Sequence, residues 1–288
     1  MSSETVELAP ERARRAPRAA VRPLRATAPL GRRWAVRLGA LALLLLAWWL
    51  IADLRVWSTL FVPPPIDVWH RFLDGETTHD GIRGLSGYYL HQHAWASLWR
   101  VLRGVGLAIP FGVGLGLALA TVRPVRLILE PYVNFVRALP PLGYFSLLII
   151  WFGIDDAAKV WLLFLAAFPP ITLAVLGGVR GIRRERIDGA LALGATRAQV
   201  LRHVVLPSVL PEAFTGLRLA LGFAWTTIVA AETINGLPGL GGLAWQVTKF
   251  QQTDVAVLCV VLIGLLAVAL DAVVKAVERV VVPWRGKA

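Results

Sequence analysis

Apolar residues in this chain gather into long uncharged runs, separated by shorter stretches where the charges collect. Leu38–Ala52 (15 residues), Gly104–Val122 (19), Ala138–Ile154 (17), Val160–Val179 (20), Leu219–Ala231 (13) and Val255–Leu270 (16) carry no charged side chain. About 20 apolar residues of helix cross the hydrocarbon core of a bilayer, and soluble domains rarely repeat runs of that length. The pattern predicts an all-α integral membrane chain with six transmembrane helices. The shorter runs lengthen if Arg37 and Arg218 reach from helix ends to the headgroups.

The stretches between and within these runs predict further elements. After the first run, Pro63–Pro65 end an extended piece, and "IDVWHRFL" puts Ile66, Trp69, Phe72 and Leu73 on one helical face. That suits a helix lying on the outer surface with Trp69 at headgroup depth. Gly112, Gly114 and Gly116 form a small-residue set in the second run, as close helix packing requires. Pro140 and Pro141 interrupt the third helix, and irregular backbone at membrane depth is tolerated where it lines a cavity or is buried in protein.

Composition agrees: 57% of the 288 residues are hydrophobic, 17% are charged and mean hydropathy is +0.63. A soluble domain has about 25% charged residues. The net charge of +12 raises nucleic acid as a partner, but the basic residues sit beside apolar spans and no nucleic-acid motif accompanies them. The lone cysteine, Cys259, excludes a disulfide framework and a thiolate metal site. His91 and His93, with one residue between them and no third ligand nearby, are too few to hold a metal.

The basic residues also orient the chain, because short cytoplasmic segments are enriched in Lys and Arg. The first 37 residues hold nine Arg, and the segments 123–126, 180–212 and 275–288 add two, six and four basic residues. The alternate segments hold Arg55, Arg71, Arg83, Lys159 and Lys249, diluted by seven Asp and Glu. Arg100 and Arg103 run against the rule without overturning it. Both termini are therefore expected in the cytoplasm. Residues 1–34 read as a basic, Pro- and Ala-rich leader held near anionic lipid heads. Residues 35–89 are the first helix and an external segment, 90–275 a transmembrane domain with a cytoplasmic loop at 180–212, and 276–288 a cytoplasmic tail.

No nucleophile elbow, zinc-protease motif or nucleotide-binding glycine loop with lysine occurs, so the chain is not expected to be an enzyme or to hydrolyse a nucleoside triphosphate itself. A secondary carrier would bury ionisable groups near the midplane and show two related halves. Here such groups are scarce: Glu232 ends the fifth run, Asp271 lies late in the sixth and Arg137 just precedes Pro140. An ion-coupled carrier stays the alternative of a different class.

One polar stretch, "DGALALGATRAQVLRHVVLP" (188–207), is organised. Ile187–Leu193 favours a short helix that Gly194 ends in a left-handed conformation. Thr196 and Gln199 form a capping box for a second helix, on which Val200, Leu201, Val204 and Val205 share a face. Pro207 and Pro211 are expected to stop that helix before the fifth span. Gly189, Ala190, Ala192 and Ala195 leave room for another backbone.

This stretch resembles the EAA loop of bacterial ABC importer permeases, which reads Glu-Ala-Ala, three residues, Gly, nine residues, Ile, one residue, Leu-Pro. Asp188, Gly189 and Ala190 stand for Glu-Ala-Ala, Leu191 follows, Gly194 is the glycine, Val204 stands for Ile, and Leu206–Pro207 close it. "RALPPLGYFSLLIIWFGIDD", "TGLRLALGFAWTTIVAAETI" and "VVPWRGKA" are similar to the permeases for taurine, aliphatic sulfonates and nitrate, and nearest to those for taurine. The resemblance implies a type I importer permease fold in the bacterial cell membrane. It implies two copies of a cytoplasmic ATPase docked on loops such as 188–207, with ATP and Mg on that partner and no cofactor on this chain. A second permease copy and an extracytoplasmic solute-binding protein complete the implied assembly, and nucleic acid has no place in it. Taurine or another alkanesulfonate is the implied solute, with nitrate or another small solute as the alternative. Asn134, Arg137, Pro140, Pro141 and Glu232 are the candidates for the solute path.

Overall fold

The computed structural model describes residues 30–55, 57–79 and 81–284. The expected leader lies outside them as far as residue 29, and so do the last four residues of the tail. The chain forms two compact units, Met1–Leu46 and Ala47–Ala288. In the first, the described residues form most of α1 (Leu30–Asp53), of which Ala35–Asp53 is long and apolar enough to cross a membrane.

In the second unit α2 (Pro65–Asp74) is followed by a two-residue hairpin, β1 (Thr78–His79) with β2 (Ile82–Arg83), a small departure from an all-helical chain. Val68 is buried and Phe72 packs beside it, while Ile66, Trp69 and Leu73 stay exposed, so the predicted apolar face is divided between core and surroundings. Arg71 on α2 is tied to Asp254 at 2.6 Å.

The core is built from α3 (Leu90–Thr121), α6 (Asp156–Arg180) and α9 (Leu206–Asn235). Val101, Val105 and Ala108 on α3 meet Leu163, Ala167 and Ile171 on α6 and Ala220, Ala224 and Ile228 on α9. Spacings near four keep these residues on one face of each helix. Between apolar helices in a bilayer, association rests on close packing rather than on escape from water, which makes small residues decisive. A Cβ on Gly104, Gly112 or Gly116 would lie 2.4, 3.0 or 2.7 Å from the Cβ of Leu163, Ile171 or Val175. Gly114, by contrast, faces open space. α10 (Leu240–Thr248) and α11 (Thr253–Val281) complete the unit, with Cys259 buried between them and α2.

Among the described residues five helices are long and apolar enough to span a membrane, and one bent pair passes the same test when taken together, as a broken span or a re-entrant loop. α4 (Arg123–Ala138) and α5 (Pro141–Phe152) meet at 100° across Leu139 and Pro140. The break falls at the expected prolines. However, Arg123–Arg126 is not a connector: Pro124 sits in the first turn of α4, where its missing N–H costs nothing.

Two expectations fail beyond α6. Pro207 and Pro211 do not stop a helix, since α8 (Arg197–Val200) runs through a π-turn at Leu201–Val205 straight into α9. In that turn the Leu206 N–H reaches back five residues to the Leu201 carbonyl, and Pro207, which has no N–H, follows in the first turn of α9. The wider turn also changes the buried face, which is Val200, Val205 and Val209, while Leu201 is exposed. Nor is Arg218 left to reach for headgroups, because its Nε donates to Asp271 at 2.7 Å.

Candidate functional site

The loop after α6 is built by two capping devices. α7 (Arg184–Ala192) ends with the Gly194 N–H donating to Leu191 O at 2.9 Å and the Ala195 N–H to Ala190 O at 3.1 Å. That pair of bonds requires a left-handed residue at 194, and Gly194 has φ +85°. Thr196 then opens α8: its hydroxyl accepts from the Gln199 N–H at 3.3 Å, and its own N–H donates to Gln199 Oε1 at 2.8 Å. Ala190, Ala195 and Val204 pack inward on the Val175, Val200, Val205 and Val209 cluster. Asp188, Gly189, Leu191, Gly194 and Thr196 face outward, and Leu206 and Pro207 are half-buried. The small-residue set expected along α7 is thus divided, with Ala190 and Ala195 holding the loop to the bundle while nothing approaches a Cβ at Gly189. Leu193, 91% exposed, stands at the corner. The result is a projection that exposes Leu191 and Leu193 beside charges of both signs, Asp188 and Glu185 with Arg184 and Arg186.

The α4–α5 break presents a different chemistry. Arg137 lies in the last turn of α4, exposed and without an ion pair or hydrogen bond among the described residues. Glu130, the one carboxylate of α4, is taken by Arg180 at 2.9 Å. Asn134 returns its amide to the Glu130 carbonyl at 2.9 Å. Pro140 and Pro141 start α5 and turn it so that a cavity of about 80 Å³ opens between Arg137, Pro141, Tyr144, Leu165, Pro170 and Phe223. Four of the five path candidates therefore lie along this break.

Glu232 does not join them. It is 1% exposed and sits at the end of the bundle remote from the 184–207 loop. Arg100 Nη1 donates to its carboxylate at 2.6 Å, Ser97 Oγ at 2.9 Å and the Gly241 N–H at 2.9 Å. Arg100 also donates to Asp156 at 2.7 Å and to the Pro238 carbonyl at 2.8 Å, and Arg103 shares Asp156 at 2.8 Å. The two arginines that broke the charge pattern are thus partnered by acids on α6 and α9. Two arginines ahead of the second run and a Glu at the end of the fifth were the available signal, but only contact between α3 and α9 pairs Arg100 with Glu232.

A family model described as binding-protein-dependent transport system inner membrane component matches residues 108–285. The taurine transport system permease protein TauC of Escherichia coli is 40% identical over 259 residues, 90% of this chain and 93% of that one. The putative aliphatic sulfonates transport permease protein SsuC of the same organism is 33% identical over 256 residues, 88% and 94% of the two chains. Among solved structures, an inward-facing MetNI methionine ABC transporter matches at TM-score 0.54 and 24% identity, covering 65% of this chain and 95% of that one.

Proposed function

The chain belongs to the family of inner-membrane components of binding-protein-dependent transport systems, the permeases of ABC importers, and on that premise we propose that its solute is a small organic anion, taurine or another alkanesulfonate. The observation that carries this reading is Arg137, an unpaired guanidinium beside a broken helix and a cavity, in a chain whose relatives carry sulfonates. A cation in a low-dielectric path draws an anion from water and has no protein carboxylate to compete with it.

Energy enters at the other end. ATP and Mg bind a separate ATPase, two copies of which dock on the bare faces of Asp188–Gly194 in two permease copies. The capped, proline-bridged continuity from Thr196 into α9 then transmits movement of the docked loop to the core helices as one rod. The solute arrives from a binding protein on the extracytoplasmic side, with both termini and the 180–212 loop in the cytoplasm and 90–275 as the transporting domain. The test is uptake into proteoliposomes by the chain purified with its partner ATPase and binding protein. Taurine, ethanesulfonate, nitrate and bicarbonate are offered in turn, and ATP-dependent uptake of the two sulfonates above the other two is expected. Equal or absent sulfonate uptake overturns the reading.

A further inference from the structure

Resting on the anion-importer reading above, we infer that Arg137 and Tyr144 form a solute subsite at the α4–α5 break, shaped for an oxyanion head on a short apolar body. The Tyr144 hydroxyl is buried and has no hydrogen-bond partner. Buried polar groups are nearly always paired, so an orphan on a cavity wall marks a place where a further group belongs. The cavity beside it holds about 80 Å³, the share of two or three water molecules at about 30 Å³ each. That suits a head group of a few heavy atoms.

The lining selects further. Its polar side chains are one guanidinium and one phenol, and it contains no carboxylate. Arg137 supplies forked N–H donors that match two oxygens of a planar or tetrahedral oxyanion, and the Tyr144 O–H supplies a third. Leu165, Pro170 and Phe223 give the remaining wall an apolar character, suited to one or two methylenes. No carboxylate stands among these side chains to pair with the ammonium of a zwitterion, whereas Arg137 pairs with its anion, so the site recognises the anionic end. Arg137 and Tyr144 are set by different helices, α4 and α5, and the 100° bend brings them to one cavity.

The experiment uses the chain purified with its ATPase in lipid nanodiscs, without binding protein. Labelled taurine is the probe, with ethanesulfonate, pentanesulfonate and ethylamine as competitors. The wild type should bind taurine saturably, displaced by ethanesulfonate and not by ethylamine. Tyr144→Phe, which removes one hydroxyl that bonds to nothing, should weaken binding about tenfold, the scale of one hydrogen bond to a charged group. Arg137→Gln should weaken it further, and Arg137→Lys should restore part. Phe223→Ala should improve pentanesulfonate relative to ethanesulfonate, a change of selectivity that a purely structural residue does not produce. If the wild type imports taurine in vesicles but binds none here, or all variants bind like the wild type, the subsite is overturned and the importer reading stands. A wild type that imports neither taurine nor ethanesulfonate overturns both.

Discussion

Arg100 and Glu232 meet at 2.6 Å with side chains 6% and 0% exposed, joining α3 to α9 where the chain turns towards α10. Burying two charges costs several kcal/mol each, and their attraction repays this only when the remaining donors and acceptors are also met. Here they are. Both carboxylate oxygens accept from Ser97 or Gly241 as well, and Arg100 is shared with Asp156 and the Pro238 carbonyl. The pair is a brace on one end of the bundle.

Removing one partner of such a pair leaves an uncompensated buried charge, at about 3–5 kcal/mol. Glu232→Ala should therefore lower the thermal midpoint of the purified chain and its abundance in the membrane. Glu232→Leu combined with Arg100→Met should recover part of the loss. Thermal unfolding followed by size-exclusion chromatography in detergent checks both. A Glu232→Ala chain as stable as wild type that fails only in uptake would make Glu232 a path residue instead.

Gly194→Val places a β-branched residue at φ +85° in a position open to solvent, so the strain is conformational rather than steric. The left-handed conformation costs roughly 1–2 kcal/mol for a residue with a Cβ. The capping bonds from residues 194 and 195 should distort while the membrane helices still insert. The expected outcome is normal membrane abundance with loss of the co-purifying ATPase and of uptake. Leu193→Glu, at the exposed corner, should weaken ATPase association without any backbone strain.

The glycines of α3 provide a paired test of helix packing. Gly116→Val should destabilise the chain strongly, because even a Cβ there would sit 2.7 Å from Val175 Cβ and 2.8 Å from the Thr172 carbonyl. Gly114→Ala meets nothing and should be neutral or stabilising by about 0.5–1 kcal/mol through lower backbone entropy in the unfolded helix. Melting midpoints of the two variants in one detergent decide between them, and equal midpoints would refute close α3–α6 packing.

Topology is tested with single cysteines in a Cys259→Ala background, Cys259 being fully buried. Asp74→Cys should react with an impermeant thiol reagent in intact cells, whereas Arg183→Cys should react only after the membrane is opened. Reaction at 183 in intact cells would reverse the threading.

Much of this protein is a property of the sequence alone. Runs of 13–20 uncharged residues dictate helices in a bilayer, since no other open structure satisfies backbone N–H and C=O groups there. Gly194 and the Thr196–Gln199 box act within a few residues of themselves, so the corner of the loop was legible from local chemistry. The break at Pro140–Pro141 was legible for the same reason.

What the sequence left open depends on register and on contacts between distant segments. Inserting one extra residue in the turn at Leu201–Val205 takes Leu201 off the buried face that Val200 and Val205 keep and carries the helix past Pro207, and local propensity does not signal that choice. Gly112 and Gly114 look equivalent in a string, but only the position of α6 makes the first indispensable and leaves the second free. An acid at the end of an apolar run marked Glu232 as a candidate, but its partner was not legible: the fold sets it against Arg100, 132 positions away, where desolvation makes pairing obligatory. Tyr144 carried no signal at all, because a tyrosine in an apolar run is ordinary. Its unpaired hydroxyl and its place on one cavity with Arg137 arise only once the chain bends by 100° between them.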